Sequence, residues 1–256
     1  DKISEGLQRL RGLVDAYEGW INDADKRLSS PTEGSVLGRE EIQTRIRTHI
    51  EVARKNADRM REGIEFLQDD ECARNAFRLA NASIRFSQDE PGVPEVKERL
   101  DDNGEFIHFK WFPFQIAFQI LNMKGLCALE EGDPGREERD TIDLAWFPTG
   151  GGKTEAYLGL ISMIGFYRRL RYPEKELRPS VHVIMRYTLR LLTSDQADRL
   201  VRLAVGMNRV AVGLGAELGA NEHAGSEFPP FRVGMWVGKK VSPNELLNGR
   251  STPTRA

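Results

Sequence analysis

The chain has 256 residues, of which 30% are charged and 39% apolar, and its formal net charge at pH 7 is −2. This composition is typical of a soluble protein, and since no apolar run approaches roughly 18 residues, it excludes a membrane span. Two cysteines, Cys72 and Cys127, lack metal-ligand spacing, and together with four scattered histidines they favour a reducing, cytoplasmic location and argue against a zinc site. Because the chain opens with Asp1 and not Met, we expect an internal portion of a longer protein.

Residues 1–87 predict an all-helical region. Apolar residues recur every three or four positions from Leu7 to Leu28, including Trp20, and again from Ile42 to Leu67 after a break rich in Ser, Pro and Gly at 29–38. A third helix is expected after Asp70, which is its predicted N-cap. These helices suggest a bundle or an antiparallel hairpin. Their charged faces are interpreted as solvated surface, with a protein–protein role left open.

Residues 88–105 are polar, contain two prolines and predict a linker. The aromatic run that follows leads into Gln115. A glutamine amide can pair with the exocyclic amine and N7 of adenine, and an aromatic ring can stack on the base. Gln115 fits this role better than Gln119, one helical turn further on. An aromatic core cluster at a helix start explains the spacing equally well.

A short apolar run at 141–147 predicts a buried strand, and the spacing at 153–171 predicts a helix that ends before Pro173. A glycine-rich loop lies between the two. This order of strand, loop and helix indicates a phosphate-binding loop, with a plain glycine-rich turn as the alternative. The predicted nucleotide-binding residues of the loop are Thr149, Gly150, Gly151, Gly152, Lys153 and Thr154.

The residue types of the loop suit ATP and Mg²⁺. Glycines let backbone N–H groups wrap a polyphosphate, and the N-terminus of the next helix adds its positive dipole end. Lys153 is expected to reach the β- and γ-phosphates, and the hydroxyl of Thr154 to hold Mg²⁺. Lys153 and Thr154 are therefore the predicted catalytic residues, and Thr154 the predicted metal ligand.

Residues 153–210 are basic, with 11 Lys and Arg against 5 Asp and Glu. A predicted strand from Val181 ends in a turn with arginines, and a second from Phe231 leads into two lysines. Side chains at such strand ends could bind a nucleic-acid backbone, and solvated strand ends are the alternative. The arginines at 168, 169 and 171 are interpreted as a solvated helix end, and Thr193 with Gln196 as a capping box. The candidate backbone-binding residues are Arg186, Thr188, Arg190, Lys239 and Lys240.

Four segments together resemble the superfamily 2 helicases. They read PFQIAFQ (113–119), WFPTGGGKTEAYLGL (146–160), VIMRYTLRLLT (183–193) and VGMWVGKKVSPN (233–244). More narrowly, they are similar to the large bacterial helicase-like proteins with a DUF1998 region. The helicase subunit of the DISARM anti-phage defence system belongs to that group. The likeness spans nearly the whole chain, and the glycine loop with its flanks is its most specific part.

The resemblance implies an α/β fold in which residues 106–256 form a first RecA-like domain, with a parallel sheet, after the helical region. It implies ATP and Mg²⁺ as cofactors, and DNA and a companion DISARM subunit as partners. Gln115 would match the adenine-sensing glutamine, 150–154 motif I and 186–190 motif Ia. No acidic pair follows an apolar strand after Thr193, so Walker B is missing and we expect nucleotide binding without efficient hydrolysis. A protein-remodelling ATPase and a non-enzymatic scaffold with a vestigial loop are the alternatives.

Overall fold

The computed structural model describes residues 2–30, 39–89, 108–146, 150–173, 180–186, 190–213 and 229–235. Within these ranges the chain forms six α-helices and one 3-10 helix. The α-helices are α1 (Lys2–Ser29), α2 (Glu40–Asp69), α3 (Glu71–Asp89), α4 (Pro113–Cys127), α5 (Lys153–Arg171) and α6 (Arg190–Gly213), and the 3-10 helix is Arg136–Asp140.

The first two helices form where apolar periodicity predicts them. In α2 the predicted stripe is buried from Ile50 to Leu67, as helical spacing requires. The buried face of α1 is instead centred on Val14, Ile21 and Leu28, which are spaced by seven residues. The prediction for Trp20 is therefore wrong, because its side chain lies beside this face and remains 62% exposed.

Asp70 separates α2 from α3 and caps the second of these helices. Its carboxylate Oδ1 accepts a hydrogen bond from the backbone N–H of Ala73 at 2.7 Å. This bond satisfies one of the amide groups that the first turn of a helix leaves unpaired. The predicted N-cap is confirmed.

The described helices share two hydrophobic clusters that meet at α4. One cluster lies between α1, α2 and α4, with Ile64 and Ile120 fully buried in it. The other joins α3, α5 and α6 with the ends of α2 and α4, and Leu79, Met163 and Leu203 lie at its centre. As a result, α5 is held mainly by other helices.

The predicted RecA-like parallel sheet is wrong for the part of the chain that the structure describes. No strand occurs there, and the described portions of the three expected strands, 141–146, 181–186 and 231–235, have neither helix nor ladder. Strand propensity depends on neighbouring strands, and α5 instead packs on α3, α4 and α6. Ile142 is consequently 94% exposed and not buried.

Three further interpretations are tested by the helices. The helix at 153–171 is confirmed in full, and Tyr172 is its C-cap. The capping box at Thr193 is wrong, because α6 already begins at Arg190. The solvated helix end is wrong for Arg169, which is buried: its guanidinium carbon lies 3.3 Å from the centre of the Phe231 ring.

The predicted linker and domain boundaries remain predictions. Helix α3 continues to Asp89, and residues 90–107 lie outside the described ranges. Among the residues that are described, no helix is both long enough and apolar enough to cross a bilayer.

Candidate functional site

The glycine loop turns directly into the first residue of α5. Gly150 and Gly152 have left-handed backbones, with φ of 83° and 80°, which favour glycine. Gly152 is the N-cap of α5, and Lys153 and Thr154 are its first two residues. Thr149 lies outside the described residues, and Gly151 lies between the two left-handed positions.

The start of α5 suits a polyphosphate. The N-cap of α5 is Gly152, which has no side chain that could cover the first-turn amides. Those amides carry the positive end of the helix dipole, which favours anions. The residue types therefore fit the triphosphate of ATP, and the Thr154 hydroxyl suits Mg²⁺ beside it.

Gln115 is buried against the loop, where both the oxygen and the nitrogen of its side-chain amide make hydrogen bonds. Its Nε2 donates to the carbonyl oxygen of Gly152 at 2.7 Å, and its Oε1 accepts from the backbone N–H of Phe112 at 2.8 Å. The residue is 1% exposed. The adenine contact expected of Gln115 remains a prediction.

The aromatic run before Gln115 divides between core and surface. Trp111 donates from Nε1 to Asn81 Oδ1 at 2.6 Å and contacts the ring of Phe109 edge-on. Phe112, by contrast, is 61% exposed and stacks on Phe114. The core interpretation thus applies to the first part of the run.

The ion pair between Arg199 and Glu155, beside the loop, was not predicted from the sequence. Arg199 of α6 donates to Glu155, in the first turn of α5, at 2.6 Å, and its Nε contacts Asp195 at 3.2 Å. The pair places a positive charge next to a carboxylate that follows the loop directly. Its members are 44 residues apart, so no local pattern signals it.

A groove of about 460 Å³ runs along α5 next to Arg186. Arg186 is exposed at this groove, whereas only the backbone of Arg190 is described, at the start of α6. The predicted Thr188, Lys239 and Lys240 lie outside the described residues. The remaining residues that line the groove are Leu126, Tyr157, Leu160, Ile161, Ile164, Val183 and Met185.

A cluster of charges fixes the segment that precedes the loop. Arg59 of α2 makes two hydrogen bonds to Asp143, of 2.7 and 2.9 Å. Glu138 lies 3.5 Å from Arg59 and 3.7 Å from Lys124, yet its Oε2 is buried without a hydrogen bond. Burial is the main reason why the pKa of Glu138 is raised above its ordinary 4.5, although both cations lower it.

The two thiols offer no reactive group. Cys127 is buried, and this burial raises its pKa well above the ordinary value of a thiol. Burial also raises the pKa of Cys72, which is half-buried. Thiolates are the reactive form, so a raised pKa lowers the reactivity of both side chains. Within the described ranges, no three His, Cys, Asp or Glu residues are grouped as a metal site requires.

Fold and site together define a helical protein with a glycine-rich loop at a helix N-terminus. No protein-family model matches the chain. The chain is similar to a DISARM protein, DrmA of Bacillus paralicheniformis, with 34% identity over 260 aligned residues. The alignment covers 96% of this chain and 20% of that relative, so the chain spans about one fifth of its length. This similarity supports the expected DISARM relationship, while the superfamily 2 and DUF1998 assignments remain predictions.

Proposed function

We propose that this chain is the ATP-binding part of a DISARM protein in anti-phage defence, and that the whole protein is an ATP-dependent DNA helicase or translocase. The observation that carries the proposal is the loop in which two left-handed glycines precede Lys153 and Thr154 at the start of α5. Similarity to a DISARM protein supports the defence role. A companion DISARM subunit and a cytoplasmic location belong to the same proposal.

Different groups of the loop bind different parts of Mg–ATP. The backbone N–H groups after Gly152 bind phosphate oxygens, and the ammonium of Lys153 reaches the β- and γ-phosphates. The hydroxyl of Thr154 holds Mg²⁺, which neutralises phosphate charge when bound. Without a Walker B carboxylate to orient water, residues 1–256 bind ATP far better than they hydrolyse it.

Calorimetric titration with Mg–ATP tests the nucleotide site. We expect Lys153→Ala to weaken ATP binding by more than about tenfold, because the charge-assisted hydrogen bonds to phosphate are lost. Lys55→Ala removes the same charge from an exposed position on α2 and serves as the matched control. Unchanged ATP affinity in Lys153→Ala would contradict the proposal and favour a vestigial loop.

DNA binding through Arg186 and Arg190 is the second part of the proposal. The exposure of Arg186 beside α5, together with the place of Arg190 at the start of α6, supports it. Contacts to a phosphate backbone release counterions, so we expect affinity for single-stranded DNA to fall steeply with salt.

Fluorescence anisotropy with labelled DNA at two salt concentrations tests this part. Replacing Arg186 and Arg190 by Ala should weaken binding and flatten the salt dependence. The control replaces Arg9 and Arg45, whose side chains are 78% and 75% exposed, by Ala. Equal losses of DNA affinity in both double variants would show that binding depends only on overall positive charge. If the parent chain does not bind DNA, a protein substrate is favoured instead.

A further inference from the structure

The amide of Gln115 joins the start of α4 to the last glycine of the loop. Its oxygen accepts from Phe112 and its nitrogen donates to the Gly152 carbonyl, at 2.8 and 2.7 Å. With 1% of the residue exposed, the remaining N–H and lone pair face protein and not solvent. A base edge therefore has no access to this amide in the observed arrangement.

The lack of a side chain at Gly152 makes room for the Gln115 amide. A Cβ on Gly152 would lie 2.7 Å from Gln115 Nε2, and the backbone there is left-handed. Position 152 thus requires glycine both for its conformation and for the approach of the glutamine. One turn along α4, Gln119 meets Gly159 in the same way, since a Cβ there would lie 2.5 Å from Gln119 Oε1.

The contact orients the amide that opens α5. The carbonyl of Gly152 and the N–H of Lys153 belong to one planar peptide group, in which the two bonds point in opposite directions. Holding the carbonyl oxygen on the α4 side therefore turns the Lys153 N–H away from α4. This N–H belongs to the first turn of α5, where the proposed phosphates bind.

We infer that Gln115 is a positioning residue for the phosphate-binding loop and that it does not read the adenine base. The inference rests on the proposed function, because it assigns Gln115 a part in the same site. Gln119 provides the matched comparison: it is equally buried in the same helix contact, yet it donates to the Gln115 carbonyl and not to the loop.

The test compares Gln115→Met and Gln119→Met of the full chain in titrations with Mg–ATP, Mg–GTP and Mg–tripolyphosphate. Loss of the bond to Gly152 leaves a buried carbonyl unsatisfied and a loop peptide unfixed. We expect Gln115→Met to weaken all three ligands by the same factor, about tenfold. Gln119→Met should stay within about twofold of the parent chain for each ligand.

Three results would overturn the inference. Weaker binding of ATP alone would make Gln115 an adenine reader, equal losses in Gln119→Met would indicate general packing, and unchanged affinities in Gln115→Met would show no positioning. If Gln115→Met does not fold, Gln115→Asn replaces it. This variant keeps an uncharged amide but is one methylene shorter, so it cannot reach Phe112 and Gly152 at once and should show the same base-independent loss.

Lys153→Ala separates failure of the inference from failure of the proposed function. If Lys153→Ala abolishes binding while Gln115 variants bind all three ligands normally, the inference alone is wrong. If the parent chain binds none of the ligands, or if Lys153→Ala binds them normally, the proposed function fails and the inference fails with it.

Discussion

Arg199 offsets a negative charge next to the proposed phosphate site. Its partner Glu155 has a side chain only 13% exposed, so solvent does little to screen this carboxylate. We expect Arg199→Ala to weaken Mg–ATP binding by roughly three- to tenfold, because the carboxylate of Glu155 would lose its partner and repel the triphosphate. Calorimetric titration measures the change.

A double-mutant cycle distinguishes this effect from loss of a nearby positive charge. Adding Glu155→Gln to Arg199→Ala should restore most of the affinity, since the unpaired carboxylate is gone. Arg9→Ala, which removes an exposed arginine paired with Glu5, is the control. Strictly additive effects of the two substitutions would show that the pair does not act as a unit.

Asp70 contributes to stability mainly by capping α3, while its Oδ2 accepts a long hydrogen bond of 3.5 Å from the Tyr167 hydroxyl. Replacing it by Ala removes the 2.7 Å hydrogen bond to the Ala73 amide. We expect the free energy of unfolding to fall by about 1 kcal/mol, as measured in denaturant. Asp69→Ala, at the neighbouring exposed position, should change it by less than about 0.5 kcal/mol. Equal losses of stability in Asp70→Ala and Asp69→Ala would indicate that the change in net charge, and not the lost cap, causes the effect.

At the scale of elements, α2 is tied to the segment before the loop through Arg59 and Asp143. Glu138 Oε2 and Arg59 Nε both lack a hydrogen bond in this cluster, because the terminal nitrogens of Arg59 donate to Asp143. Its folded-state pKa is raised, so its contribution to stability is complete below about pH 4.5 and is lost as pH rises through the folded pKa.

Glu138→Gln should therefore stabilise the chain increasingly as pH rises. The variant keeps the shape of the protonated acid, so at about pH 4 its melting temperature should equal that of the parent chain. At about pH 7 it should be higher, because the parent must hold a buried carboxylate. Thermal unfolding followed by circular dichroism measures both. A variant less stable at neutral pH would contradict the raised pKa.

The sequence predicts the helices correctly, whereas the sheet that it also predicts is absent from the described residues. Helical periodicity is a property of one segment, which is why α5 and the Asp70 cap were predicted correctly. The apolar character of 141–147 predicts a strand, but a strand also needs neighbouring strands, and none is present among the described residues.

In the candidate site, too, local features could be predicted from the sequence and contacts between helices could not. Glycines at 150 and 152 could be predicted to bend the backbone, because left-handed conformations favour that residue. The burial of Gln115 against Gly152 could not, since it depends on how α4 packs on α5. Arg169 likewise appears in the sequence as one of three arginines at a helix end, and only the fold places it over Phe231.

For the molecule as a whole, the segments 141–146, 181–186 and 231–235, which have neither helix nor ladder, expose apolar side chains to water. Ile142 is 94% and Ile184 85% exposed. Replacing both by Ser should lower self-association in light scattering while changing the free energy of unfolding by less than about 0.5 kcal/mol. Ile120→Ser, at a fully buried position, should instead destabilise by several kcal/mol, roughly 2–5. A large stability loss in the double variant would mean that these side chains are covered in solution.

Trp146 belongs to the same exposed segments, and it gives the chain an optical signal. Its indole is 87% exposed and lies four residues before Gly150. A water-exposed indole emits at long wavelength, so its emission should respond when a ligand binds at the loop that follows. We expect Mg–ATP to change the emission of the parent chain and not that of Trp146→Phe. The tryptophan that the sequence assigned to a buried strand would then report, in solution and without a label, the occupancy of the loop beside it.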